Sequence, residues 1–65
     1  MNENLPIFKH IEIEKNKGTY KTFSNASILL TGNYLIVITK EYFDNQELSI
    51  SNIFNLSEIK SYKTK

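Results

Sequence analysis

The sequence predicts an all-β or β-dominated domain: a small antiparallel sheet of about five strands, from two hairpins plus a C-terminal strand, with one short helical turn. Three observations lead there. Apolar and polar residues alternate over residues 7–14, the period of a strand buried on one side. Residues 19–24 are rich in Thr, Tyr and Phe, which suit a pleated, half-buried surface. Gly32-Asn33 separates two aliphatic runs, 26–31 and 34–38, as a two-residue turn separates paired strands.

Taken in order, the first strand sets Ile7, Ile11 and Ile13 on one face and Phe8, His10, Glu12 and Glu14 on the other. Asn16-Lys17-Gly18 reads as a turn, with Gly18 supplying a positive φ. Residues 19–24 form a second strand. Its register stays open, pairing either Ile11 with Phe23 or Glu12 with Lys21. Ser24-Asn25 is a weak break before a third strand, 26–31. Gly at the first central position of Gly32-Asn33 suits a type II′ hairpin. Thr31 then faces Tyr34, Leu30 faces Leu35, Leu29 faces Ile36, and Ile28 faces Val37. Residues 40–46 read as a polar connection that contains Tyr42 and Phe43 and turns at Asp44-Asn45. Leu48-Ser49-Ile50-Ser51 alternates as a short strand, interrupted over 52–55. Within 55–62, Asn55 and Glu58 match a capping box, with Leu56 and Ile59 as i,i+3 neighbours. Ile59, Ser61 and Lys63 against Lys60 and Tyr62 equally fit an edge strand. The preferred reading is one helical turn over 56–59 followed by an extended tail.

The 65 residues make one β-rich domain, with ends (1–5 and 63–65) expected to fray. A chain this short buries only about 60% of the surface its unfolded form exposes, so its stability alone is marginal. Cysteine is absent, which removes disulfides and thiolate metal sites. Association is the remaining source of extra stability. The polar, acidic N-terminus lacks the basic start and apolar core of a signal peptide. The longest apolar run, 34–38, is far too short to span a bilayer. The expectation is a cytoplasmic protein with no membrane partner. The bias toward Ile, Lys and Asn, with no Arg, suits an AT-rich coding sequence of the low-GC bacterial or phage kind.

No constellation for chemistry emerges. His10 and Glu12 share a face, but two ligands fall short of the three or four zinc requires. A lone histidine with no cysteine offers no nucleophile and base. Gly18 and Gly32 are isolated, so no phosphate-cradling loop exists. The expectation is no enzyme, no metal and no cofactor. Net charge is only +1, too small to argue for nucleic acid by itself. Lys15, Lys17 and Lys21 with Tyr20 and Phe23 form a basic hairpin with interleaved aromatics, of the kind that can contact single strands. Absent arginine weakens that reading, and nucleic acid ranks below protein as a partner.

The Gly32-Asn33 hairpin carries the strongest signal. One of its faces holds Ala26, Ile28, Leu30, Leu35 and Val37. The other holds Leu29, Tyr34, Ile36 and Ile38. A sheet wet on one side should alternate instead. One set can pack on Ile11, Ile13 and Phe23. Either the rest of the chain closes over the other set, as in a small barrel, or a partner does. Leu29, Tyr34, Ile36 and Ile38 are therefore the predicted interface with a second copy or a host protein.

Two resemblances accompany these residues. Residues 28–37 (Ile-Leu-Leu-Thr-Gly-Asn-Tyr-Leu-Ile-Val) and 54–62 (Phe-Asn-Leu-Ser-Glu-Ile-Lys-Ser-Tyr) resemble segments of bacterial PH-like or GRAM-like domains. That likeness implies a module that docks on lipid or on an assembly. In length, AT-rich bias and lack of catalytic residues, the chain also resembles small phage proteins that block bacterial defence, such as the short Hachiman anti-defence proteins. This second likeness implies a dimeric inhibitor that binds a host nuclease–helicase complex directly.

Overall fold

The computed structural model describes residues 5–65. Five strands follow one another: β1 (Phe8–Lys15), β2 (Tyr20–Thr31), β3 (Tyr34–Phe43), β4 (Gln46–Asn55) and, after a 3-10 turn (Leu56–Glu58), β5 (Ile59–Thr64). They form one antiparallel sheet in the order β4-β3-β2-β1-β5.

The turns follow from their residues. Between β1 and β2, Gly18 N–H donates to the Lys15 carbonyl (2.9 Å) and Lys15 N–H to the Thr19 carbonyl (2.8 Å). Asn16-Lys17 is thus the centre of a turn, and Gly18 at φ 89 is the left-handed residue that completes a three-residue hairpin loop. The open register resolves to Ile11 opposite Phe23, with Glu12 opposite Thr22. In the β2–β3 turn only Gly32 has positive φ (56), as a type II′ turn requires. All four predicted pairs, from Thr31↔Tyr34 to Ile28↔Val37, are present.

Two expectations about strand limits are corrected. Ser24-Asn25 does not break the chain into two strands, because Asn25 takes φ 54 and β2 bends there while staying extended. Asparagine tolerates that conformation. β2 pairs with β1 as far as Ala26, one residue past the bend, and with β3 from Ser27 onward. The bend also shifts the alternation, so Phe23 and Ala26, three apart, both reach the core. Next, residues 40–46 are not a connection. β3 runs to Phe43, Asp44 (φ 52) and Asn45 (φ 62) form a type I′ turn, and β4 runs unbroken to Asn55. At the C-terminus, Lys63 pairs with Glu12 and Thr64 with Ile11. Lys65 N–H donates to the His10 carbonyl at 2.9 Å, and Lys9 N–H to the Lys65 carbonyl at 3.0 Å. Of the N-terminal residues expected to fray, 1–4 lie outside the described residues.

Residues 55–62 combine both readings of that segment. Asn55 Oδ1 accepts from Ser57 N (3.0 Å) and Ser57 Oγ (2.9 Å), which caps a single 3-10 turn, and β5 follows. This short link joins strands at opposite edges of the sheet, so the sheet must curl. The curl brings the Phe54 ring edge-on to Phe23 at 6.1 Å and under the Lys15 ammonium at 5.5 Å. Inside it, Ile11, Ile13, Ala26, Leu35 and Val37 are closed from solvent, ringed by Phe8, Phe23, Ile28, Phe54 and Ile59. Ile7, expected beside Ile11 and Ile13, precedes β1 and is 63% exposed.

Candidate interaction surface

Leu35 and Val37 point inward, so their neighbours on β3 must point outward. Cross-strand pairing then builds the outer face row by row. Leu29, Ile36 and Ile53 form one row across β2, β3 and β4. Ser27, Ile38 and Ser51 form the next, and Thr31, Tyr34 and Asn55 the third. Leu29, Ile36 and Ile38 are half-buried by their neighbours, whereas Tyr34 is 48% and Ile53 63% exposed. The result is a contiguous apolar patch.

The other half of the outer face, across β5, β1 and the start of β2, is polar. Ser61, Glu14 and Tyr20 form one row, and Lys63, Glu12 and Thr22 the next. Ser61 Oγ donates to Glu14 Oε1 (3.3 Å), and Lys60 Nζ lies 3.8 Å from Glu14 Oε2. The charge of Glu14 raises the pKa of the exposed Tyr20 hydroxyl, with smaller contributions from desolvation, a hydrogen bond to Glu14 and the charge of Glu12. The outer surface therefore divides near the bend of β2 into an apolar half and a charged half.

The four residues predicted as a dimer or partner interface, Leu29, Tyr34, Ile36 and Ile38, do share one face. Sequence reasoning missed Ile53, because 52–55 read as an interruption. The available signal was Phe54, which keeps the period-2 phase of Leu48 and Ile50 and so puts Ile53 outward.

The residues proposed for nucleic acid are divided. Lys15 lies over Phe54 on the inner side, Lys21 stands opposite Ile13, and Lys17 caps the turn. Tyr20 stands on the other side, opposite Glu14. A stacking ring beside carboxylates repels the phosphates it would need nearby.

Next to that turn, Lys15, Asn16, Lys17, Thr19, Ser57 and Glu58 line a shallow groove. Asn16 spans it, donating from Nδ2 to the Ser57 carbonyl (2.7 Å) and from its backbone N–H to the Glu58 carbonyl (3.0 Å). Asn16 thus holds the turn to the 3-10 segment. Among the described residues, no three His, Cys, Asp or Glu side chains gather as metal ligands. No helix there is long and apolar enough to cross a membrane.

The chain matches no family model, no curated protein and no solved structure.

Proposed function

We propose that this chain is a non-enzymatic interaction module whose apolar outer patch, Leu29, Tyr34, Ile36, Ile38 and Ile53, docks on another protein. The observation that carries the reading is the division of the outer face. An apolar patch rimmed by polar residues marks an interaction site, and here the charged half beside it supplies a polar rim. The face lies outside a curled sheet and is convex, so two such faces would touch over little area. A partner with an apolar groove fits it better than a second copy does. The form of action we propose is inhibition by occupancy of a bacterial defence complex, in the host cytoplasm. The likeness to short phage anti-defence proteins supports that choice.

Affinity capture from bacterial lysate tests the reading, using the wild-type chain and an Ile36→Glu variant checked for native circular dichroism. One stoichiometric protein retained by the wild type and lost by the variant is the expected result. Equal retention by both would place binding elsewhere. Plaque formation in defence-carrying cells that express the chain, against Ile36→Glu, tests the inhibitory form.

A further inference from the structure

We infer that two copies join along the free edges of β4 in an antiparallel, two-fold pairing centred on Ser49, which makes one continuous sheet and leaves both apolar outer patches open.

The inference starts from the β3–β4 hairpin. β2 pairs with β3 only as far as Ile38, whereas β3 and β4 continue to Phe43 and Gln46. Beyond Ile38 the hairpin is a two-stranded arm, and every residue from 40 to 51 is exposed. A lone two-stranded ribbon is marginal in water and needs a third strand or cover. The arm nevertheless carries large apolar side chains: Tyr42 (76% exposed), Phe43 (69%), Leu48 (46%) and Ile50 (37%).

The two sheet edges differ. β5 is short and carries Lys60 and Lys63, the devices that keep an edge from pairing with another chain. β4 has ten residues, no proline, no lysine and Glu47 as its only charge. Its outward N–H and C=O groups form an unguarded template. The free edge of β3 along the arm is less suitable, because it carries both Lys40 and Glu41.

β4 is also self-complementary. Centring the pair on Ser49 sets Leu48 of each copy against Ile50 of the other, on the inner face. Glu47 then meets Ser51, and the two Glu47 carboxylates stay apart. Centring on Glu47 would oppose like charges, and centring on Ile50 would set Glu47 against Ile53.

The chain has no cysteine, so a single introduced thiol reports the pairing. Under mild oxidation the full chain carrying Ser49→Cys should form a disulfide-linked dimer. Ser51→Cys should not, because its two copies would stand about 13 Å apart. Light scattering should give twice 7.6 kDa for the wild type, and a monomer of native circular dichroism for Leu48→Lys/Ile50→Lys. Ile36→Glu should remain dimeric, which separates this inference from the docking of a partner. A wild type that is monomeric at high micromolar concentration would overturn the inference. So would efficient cross-linking of Ser51→Cys in place of Ser49→Cys, or a dimer that Ile36→Glu dissolves.

Discussion

Asn25 is the residue on which the shape of the sheet turns. Its φ of 54 lets β2 leave β1 and take up β3 without ending. A β-branched residue is strained there, so Asn25→Val should cost about 1–2 kcal/mol. Asn25→Gly should stay within a few tenths of wild type, because glycine accepts the conformation freely. Urea denaturation of the two variants measures the difference, and equal losses would mean the bend is not what matters. Glu14 is the second residue of consequence, holding Ser61, Lys60 and Tyr20 around one carboxylate. A phenol whose folded pKa is raised above 10.0 gives stability that is present below that value and is lost as pH climbs through the folded one. Wild-type stability should therefore fall in strongly alkaline solution. Glu14→Gln should remove the charge responsible, bring the Tyr20 titration back toward 10.0 and flatten the fall. Titration of the Tyr20 ring resonance by NMR, with and without the substitution, shows whether it does.

At the scale of elements, β4 is two structures in one strand. Its C-terminal end is tied to the core through Phe54, which meets Phe23 and carries Lys15 over its ring. Its N-terminal end is the bare arm. Phe54→Ala should cost about 3 kcal/mol, the low end for a phenylalanine truncated in a core. Leu48→Ala should change the stability of a single copy by less than about 1 kcal/mol, as exposed substitutions do. Denaturant midpoints at low protein concentration, where single copies prevail, compare them. The same strand shows how far the sequence could be read. The β2–β3 hairpin was legible to the residue, because Gly32-Asn33 permits one tight turn and that turn fixes every pair after it. The outer patch followed from the same alternation, except Ile53, whose place depends on how β4 pairs with β3. Tyr42 and Phe43 were read as part of a loop because Lys40, Glu41 and Asp44 around them are polar on both faces. Such residues signal a strand only when its partner is known. Alternation alone separates Tyr20 from Lys21, whereas the separation of Tyr20 from Lys15 rests on the β1–β2 register, which the sequence left open.

For the whole molecule, the curl of the sheet sorts the apolar residues into three sets. Ile11, Ile13, Ala26, Leu35 and Val37 close the inside. Leu48 and Ile50 line the arm where a second copy pairs, and Leu29, Ile36 and Ile53 cross the outer face in one row. Full burial of a large aliphatic side chain contributes roughly 1.5–3 kcal/mol, so covering the outer row by a partner is enough for useful affinity. A charge placed in that row should abolish docking, while a charge on the polar half of the same face should not. The most direct measurement is quantitative capture from lysate by three folded, tagged chains: wild type, Ile36→Glu and Thr22→Glu. The expected result is one host protein held in equal amount by wild type and Thr22→Glu, and absent from Ile36→Glu. Retention of that protein by Ile36→Glu, or its loss from Thr22→Glu, would contradict docking through the apolar half of the outer face.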